Sequence, residues 1–312
     1  MIHIIKYLDF KGEIKDSENV SGVQSDGENL LLVTDELNDI FVLKGNKQDD
    51  HYKLTGKLQL HPDPEAPEVD LEDIALSGNN FYAVGSHALA RRSVKEKKKY
   101  QKNRDRLRTV RSESARNQVL KFSYKEDGQD KPKVVKQSVK SKSLITYLEN
   151  DEVLGPFTKI PSKENGVDIE AIAADETYLY FGFRGPVLRS NYVPVMVTSF
   201  ENLAEYELRY VDMDGRGIRG MTKVNDGFLL IGGPVGDGDQ PYQLYFWNGV
   251  DCIPGKDKPE VSQIQLLGEI QTPPNSKAEG ITVLQETENE YEIIIVYDGA
   301  KQGWPTIFRV DK

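Results

Sequence analysis

The chain of 312 residues has one cysteine and four histidines. The single thiol, Cys252, excludes an internal disulfide bond and a cysteine-cluster metal site. Four histidines are too few for a transition-metal centre rich in imidazole ligands. The sequence has no apolar run of about 18 residues, and its start is too charged for a signal peptide. We therefore expect a soluble, cytoplasmic protein.

Helical patterns are scarce as well. Two segments have a convincing helical pattern, whereas short β-branched and aromatic runs recur between clusters of Gly, Asn and Asp. Such runs are typical of strands separated by turns. The length is sufficient to bury a large core. The sequence therefore predicts an all-β protein.

The chain does contain an internal repeat. Five times, a polar residue followed by a small or acidic one lies at the start of a strand, and a second apolar strand follows after a turn. The five polar residues, here called the lead residues, are Ser21, Glu72, Glu170, Arg219 and Glu279. Because the spacing inside the five copies is nearly constant, each copy is interpreted as the same structural unit.

Four strands per unit would make one blade of a β-propeller. The last unit lacks a fourth strand, whereas a strand predicted over residues 2–10 has no partner nearby in the sequence. A ring of sheets closes when one terminus completes the blade begun by the other. We therefore predict a single domain over residues 1–312, a propeller of five four-stranded blades closed by the N-terminal strand. A sixth, degenerate blade between the second and third units is the alternative.

The second unit is the least regular of the five. Residues 118–124 and 133–139 are predicted to complete its blade, and a long basic segment separates them from the first two strands. Residues 91–116 contain 12 Lys or Arg against 3 acids, a charge of +9 within a chain of net charge −10. We predict a basic helical insertion over residues 91–117, docked by a stripe of Tyr100, Leu107 and Val110. Its charge would suit a polyanion or a protein partner. A solvated helix is the simpler interpretation, because the segment lacks aromatic interleaving and any recognisable nucleic-acid motif.

The repeat also predicts a site. In an antiparallel pair, the start of one strand and the end of its neighbour lie at the same edge. The lead residues and the ends of the second strands should therefore surround one mouth of the central channel. The residues at those strand ends are Asp35, Ser86 with His87, Arg184, Gly233 and Asp298. Further acids beside them are Asp70, Asp73, Asp168 and Glu36.

Several roles are open for this mouth. Candidate ligands of a hard cation such as calcium are Glu170, Glu279, Asp35 and Asp298. Candidates for general acid–base catalysis are Glu170, Glu279 and His87. Candidates for binding a small anionic ligand are Arg184, Arg219, Ser86, Ser21 and Glu72. In the structural alternative, each Glu caps backbone amides or pairs with an Arg of the next blade.

Several motifs resemble those of a known family. They are GSH from Gly85, DIEAIA from Asp168, GFRGPVLR from Gly182 and AEGI from Ala278. Over nearly its whole length, the chain resembles the bacterial family of unknown function thirty-six-sixteen. It departs from that family at Asp73 and Ala171, where Gly is more frequent. The resemblance implies a propeller-like fold without an assigned activity.

A more distant resemblance involves the Glu-Gly-Ile strand start at Glu279. It is similar to strand starts in phytase-like esterase propellers, and this would imply hydrolysis of phosphoesters or esters. The sequence thus predicts a mouth that binds a small anionic ligand, with a divalent cation as candidate cofactor. The alternatives are a metal-dependent hydrolase and a non-catalytic interaction scaffold that uses the basic insertion. No Ser-His-Asp order, HExxH or Walker pattern supports an enzyme.

Overall fold

The computed structural model describes residues 1–45, 48–61, 67–127, 131–135 and 138–312. Two short strands at the start of the chain, β1 (Ile2–Tyr7) and β2 (Asp9–Lys11), belong to different sheets. The first blade contains β3 (Val20–Ser25), β4 (Asn29–Thr34), β5 (Asp39–Lys44) and β6 (His51–Gln59). The strand β2 pairs in parallel with β6 and adds a fifth strand to this sheet.

The second blade is interrupted twice. It begins with β7 (Leu71–Ser77) and β8 (Asn80–Gly85). The insertion follows as β9 (Ala90–Arg91), helix α1 (Tyr100–Arg108) and β10 (Val110–Arg111). The strand β11 (Val119–Phe122) returns to the blade, a separate ribbon is formed by β12 (Tyr124–Asp127) and β13 (Lys131–Val134), and β14 (Lys140–Lys142) is the outer strand. A short helix, α2 (Ile145–Asn150), leads to the third blade.

The remaining three blades are regular. The third contains β15 (Asp168–Ala174), β16 (Leu179–Gly185), β17 (Tyr192–Thr198) and β18 (Tyr206–Asp212). The fourth contains β19 (Gly217–Val224), β20 (Gly227–Gly233), β21 (Gln243–Trp247) and β22 (Ile264–Glu269). The fifth contains β23 (Lys277–Glu286), β24 (Glu290–Asp298), β25 (Thr306–Asp311) and β1. Single 3-10 turns lie at Ser114–Arg116, Gly155–Lys159, Ser162–Glu164, Arg189–Asn191 and Lys301–Gly303.

The five sheets form a closed ring, which confirms the predicted five-bladed propeller. The first strands of the blades contact one another in the order β3, β7, β15, β19 and β23, and β23 contacts β3 again. Between the second and third blades, residues 143–167 form α2 and 3-10 turns, so the described residues contain no sixth blade. Apolar side chains of adjacent blades pack face to face around this ring and form the core.

The N-terminal strand closes the ring as predicted, but it is shorter than expected. β1 pairs with β25, with Ile2 opposite Val310, and its side chains Ile2 and Ile4 pack on the core of the fifth blade. The prediction of one strand over residues 2–10 is wrong, because the chain changes sheet after Tyr7. Leu8 and Phe10 are buried in the core beside the first blade, and this burial directs β2 to β6.

The predicted fourth strand of the second blade, residues 133–139, is also wrong. β14 holds this position and pairs with β11, with Lys142 opposite Val119. Residues 131–134 pair instead with β12, and residues 136–137 lie outside the described residues. Pro132 faces Glu126 in that two-stranded ribbon. Because proline cannot donate to a ladder, an isolated ribbon suits it better than a blade.

The insertion is helical and basic, as predicted, but it is not docked through apolar side chains. None of the nine residues of α1 is buried. Tyr100, Leu107 and Val110 are 73%, 51% and 41% exposed, so the predicted docking stripe is wrong. An ion pair between Arg91 and Glu164 ties the insertion to the segment before the third blade. Neither helix of the described residues has the length and apolar character needed to cross a membrane.

Candidate functional site

All five lead residues lie at equivalent β-bulges. In each blade, the register between the first two strands shifts at the lead residue. The shifts lie at Val20/Gly22, Leu71/Asp73, Ile169/Ala171, Ile218/Gly220 and Ala278/Gly280. A bulge leaves one residue outside the ladder and changes the direction of its side chain. The repeat found in the sequence is therefore a repeated bulge, and it places the lead residues around one mouth of the channel.

The position after each lead residue is small because the first strands nearly touch. A Cβ atom at Gly220 would lie 1.9 Å from the carbonyl oxygen of Glu279, and one at Gly280 would lie 2.9 Å from Cα of Gly22. Asp73 is the exception. Its carboxylate accepts hydrogen bonds from the backbone N–H groups of Ile74 at 2.8 Å and Ile172 at 3.0 Å. Asp73, at a position where three of the other repeats have glycine, thus links the second blade to the third through its bond to Ile172.

A chain of buried ion pairs crosses three blades at the mouth. Arg184 pairs with Asp168 and lies 2.5 Å from Glu170 Oε1 through Nη1. Arg219 Nη1 lies 2.7 Å from Glu170 Oε2, and its Nη2 pairs with Glu279. These five residues are buried, with exposed fractions between 1% and 8%. Glu170 and Glu279 thus share an Arg of the blade between them, which is the pairing expected in the structural alternative.

Some polar atoms of this set of ion pairs have no hydrogen-bond partner in the described part of the protein. Among the described residues, none hydrogen-bonds the Nε atoms of Arg184 and Arg219. Glu170 Oε2 is close to Arg219, but no hydrogen bond of acceptable geometry reaches it within the described part of the chain. Buried polar groups in native proteins almost always have a partner. These three atoms therefore leave room for ordered water or for a polar ligand.

Two further pairs flank the ion-pair chain. Arg116, from the end of the insertion, lies 2.9 Å from Asp70 Oδ2, and Ser86 Oγ donates to the same oxygen at 2.6 Å. On the other side, Lys277 pairs with Asp298. The mouth residues Ser86 and Asp298 are therefore engaged by neighbours. Ser21 is engaged too, because its hydroxyl donates to the carbonyl oxygen of Leu71 at 2.5 Å.

Glu72 differs from the other lead residues. No described Lys or Arg forms an ion pair with it. Instead, the carboxylate oxygens of Glu72, Asp168 and Glu170 lie within 4.8 Å of one another. Burial, together with Asp70, Glu170 and Asp168, raises the pKa of Glu72 well above its usual value. Burial also raises the pKa of Asp168 to about 7, against the opposing effect of Arg184.

Burial also raises the pKa values of acids on the opposite side of the mouth. Burial raises the pKa of Asp35 to about 8, with smaller contributions from Asp298 and Glu279. Burial raises the pKa of Glu279 to about 7, although Arg219 opposes the shift. Asp35 Oδ1 has no hydrogen-bond partner among the described residues. The predicted metal ligands Asp35, Asp298 and Glu279 thus lie together, and Glu279 and Asp298 already have cationic partners.

His87 is held by contacts on both ring nitrogens. Its Nδ1 lies 2.8 Å from the carbonyl oxygen of Gly85, and its Nε2 accepts a hydrogen bond from the backbone N–H of Leu144 at 3.2 Å. These contacts require the neutral imidazole, with the proton on Nδ1. Burial lowers the pKa of His87 to about 4. The ring therefore fastens the turn before α2, and these contacts do not favour its predicted role in acid–base catalysis.

Three residues at the mouth are less prominent in the sequence than in the structure. The repeat places Asp168 beside the mouth but not among the ligand candidates, and it assigns no mouth position to Arg116 or Lys277. Asp70, Asp168 and Lys277 each lie two residues before a lead residue, a spacing that could have identified them. Arg116 had no such signal, because only the folding of the insertion brings it to Asp70.

Comparisons with known proteins show which family the chain matches. A model of the family described as "Protein of unknown function (DUF3616)" matches residues 19–304. No curated protein matches the chain. One similar solved structure is a streptogramin B lyase, with 9% identity, a TM-score of 0.39, and coverage of 99% of this chain and 97% of the lyase.

Two other solved structures are similar at the same level. The allergen Mala s 1 of Malassezia sympodialis has 11% identity and a TM-score of 0.49, and the alignment covers 96% of this chain and 94% of the allergen. The tail fibre of Staphylococcus aureus phage P68 has 10% identity and a TM-score of 0.41, with 100% of this chain and 52% of the fibre covered. Similarity this low says nothing about the chemistry of the mouth.

Proposed function

The chain belongs to the DUF3616 family of proteins of unknown function, and we propose from its own mouth residues that it binds a small anionic ligand through a divalent cation. Glu72, Asp168 and Glu170 would hold the cation. The observation that carries the proposal is the close approach of these three carboxylates, within 4.8 Å, around a Glu72 that has no ion pair with any described residue.

The charge balance of the mouth supports a cation. The acids there are Asp35, Asp70, Glu72, Asp168, Glu170, Glu279 and Asp298, and the bases are Arg116, Arg184, Arg219 and Lys277. Acids thus outnumber bases, and like charges in a buried site repel strongly. A divalent cation would relieve this repulsion. Calcium suits the set, because it binds carboxylate oxygens at about 2.3–2.6 Å in a flexible geometry.

The anionic ligand would bind through the cation rather than directly on the arginines. Both guanidinium groups already pair with carboxylates on two sides, Arg184 with Asp168 and Glu170, and Arg219 with Glu170 and Glu279. Breaking a buried ion pair costs about 3–5 kcal/mol. A cation with open coordination positions offers an anion a partner at no such cost. The Nε atoms of Arg184 and Arg219, to which no described residue hydrogen-bonds, could still donate to it.

The other predicted functions depend on this site to different degrees. A phosphoester or ester hydrolase would use the same cation, so cation binding is the first requirement for that alternative. A non-catalytic scaffold would depend on the basic insertion alone. The cytoplasmic location and the extent of the domain, residues 1–312, also stay predictions.

The test is a thermal-shift titration of the full chain with calcium, magnesium, manganese and a chelator. Wild type should melt several °C higher with one cation, because a hundredfold excess over Kd stabilises the folded state by about 2.7 kcal/mol. Glu72→Gln should lose this shift. Since Glu72 is outside the ion-pair chain, this substitution should leave the fold intact.

The matched control is Glu176→Gln, which removes an exposed carboxylate from the turn at the opposite end of the third blade. It should show the wild-type shift. The proposal would be rejected by the absence of any cation-dependent shift in wild type. It would also be rejected if Glu72→Gln responded like Glu176→Gln.

A further inference from the structure

We propose that the basic insertion, residues 91–116, binds single-stranded nucleic acid through its phosphate backbone and without sequence specificity. This inference is independent of the mouth function. It rests on the unpaired charges of the insertion, on a cleft that brings four of them together, and on an exposed aromatic ring beside that cleft.

Most cations of the insertion have no acidic partner among the residues that the structure describes. Of its 12 Lys and Arg residues, three form ion pairs with described residues, namely Arg91, Arg108 and Arg116. The other nine form none within the described chain and are Arg92, Lys95, Lys97, Lys98, Lys99, Lys102, Arg104, Arg106 and Arg111. The rest of the chain carries a charge of −19. Acids are thus plentiful, yet they do not neutralise this segment.

Four of these cations line one cleft. Arg92, Lys98, Lys102 and Arg106 surround a space of about 240 Å³, with Thr109 at its edge and Asp105 as the one acid among the described lining residues. Lys102 and Arg106 are four residues apart in α1, which places their side chains on one face of the helix. Lys98 lies in the bend just before the helix and lines the same cleft. A row of cations on one side of a cleft suits successive phosphate groups of an extended strand.

An exposed aromatic ring lies on the same helix. Tyr100 is 73% exposed, and the Arg104 guanidinium lies 5.7 Å from its ring centroid. Base stacking on an exposed aromatic side chain, with an arginine nearby, is how proteins bind single strands without reading their sequence. Because the ring is so exposed, it is accessible for stacking on a base.

Charge favours a strand over a membrane surface. A flat anionic membrane would bring the lipid headgroups close to the acidic body of the protein, and like charges repel one another within the Debye length of about 8 Å. A flexible strand can contact the insertion alone, because none of the α1 residues is buried against the body. The helix of nine residues spans about 14 Å, enough for a few nucleotides.

The test is fluorescence anisotropy of the full chain with a labelled, unstructured 20-nucleotide RNA and with the equivalent DNA, between about 50 and 300 mM salt. For a single strand, each phosphate contact lowers log K by about 0.7 for every tenfold increase in salt. With four phosphate contacts, the slope of log K against log salt should be about −3. The variant Arg92→Gln/Lys98→Gln/Lys102→Gln should reduce the slope by about 2. Tyr100→Ala should weaken binding roughly tenfold with an unchanged slope.

The matched control is Lys11→Gln/Lys15→Gln/Lys256→Gln, which removes the same charge from exposed sites outside the insertion. It should keep the wild-type slope. The proposal is overturned if the cleft variant binds like this control. It is also overturned if neither oligonucleotide binds at 50 mM salt, or if the chain binds only vesicles of phosphatidylserine and phosphatidylcholine.

Discussion

At the scale of single residues, His87 shows how burial determines a protonation state. Its Nδ1 contacts the carbonyl oxygen of Gly85, and its Nε2 accepts a hydrogen bond from the N–H of Leu144. The bond to Nε2 requires the neutral ring, because both nitrogens of a protonated ring are donors. Burial lowers the pKa to about 4, whereas an unfolded chain has a histidine pKa near 6.5. Between these two values the unfolded state binds one more proton than the folded state. His87 therefore stabilises the fold above pH 6.5, and this contribution is lost as the pH falls toward 4.

The prediction is that His87→Gln removes part of the pH dependence of stability. In wild type, the contribution of His87 to the unfolding free energy should fall by about 3 kcal/mol between pH 6.5 and pH 4. Urea unfolding at several pH values measures this for wild type, His87→Gln and the control His3→Gln, which alters an exposed side chain of β1. The assignment fails if the His87 variant follows the same pH curve as the His3 variant.

The contacts of single residues were the hardest feature to predict from the sequence. The repeat located all five lead residues correctly at one mouth, because position follows from strand register. Their partners differ, however: Ser21 bonds a backbone carbonyl, Glu170 and Arg219 pair across blades, and Glu72 faces other carboxylates. Partners depend on neighbouring blades that are about 50 or more residues away in sequence, so local patterns do not contain this information.

At the scale of elements, the first strands of the blades are packed without spare volume. Gly220 in β19 lies against the backbone of Glu279 in β23, and any side chain there would overlap that carbonyl oxygen. Backbone cannot move aside as a flexible side chain can. The small residue after the lead residue is therefore required by the distance between strands, and not by a positive φ angle.

We predict that Gly220→Ala destabilises the fold by about 2–3 kcal/mol, in the range of overpacked cores. Gly238→Ala is the control, because a Cβ atom there would contact nothing within 4 Å. It should change the unfolding free energy by less than about 0.5 kcal/mol. Equilibrium unfolding in urea compares the two variants. Equal stability of both would show that β19 and β23 can separate easily.

Inner elements were predicted better than outer ones. All seven residues of β15 are buried, so its apolar pattern is strong. In β14, two of the three residues are exposed and all three are Lys or Ser, so it has no apolar pattern to detect. Apolar patterns accordingly predict the first two strands of every blade correctly, whereas the outer strand of the second blade is predicted at the wrong residues. The solvated side of a sheet carries little information about pairing.

At the scale of the whole molecule, the ring depends on one short strand. β1 covers the edge of β25, which would otherwise present unpaired backbone groups. Strand counting predicted this closure, because the last unit lacked one strand and the first strand lacked a partner. The change of sheet after Tyr7 was not predictable by counting, since it depends on where Leu8 and Phe10 find a buried site.

We predict that a charge on the inner side of β1 opens the ring. Ile4→Asp should lower the unfolding free energy by about 2 kcal/mol or more, because Ile4 packs on the core of the fifth blade. Ile5→Asp is the control in the same strand, since Ile5 is 42% exposed. Thermal unfolding measures stability, and size-exclusion chromatography detects association through the free β25 edge. Equal effects of the two substitutions would contradict a closing role for β1.

The pairing of β1 with β25 also affects how the protein is made. Ile2 pairs with Val310, so the ribosome must synthesise more than 300 further residues after β1 before the partner strand exists. At about 5–20 residues per second, this delay is roughly 15–60 s. During that interval the other blades can stack as an open arc, while β1 has no β25 with which to pair. The ring can therefore close only after synthesis of β25, so closure is a late step in the folding of this protein.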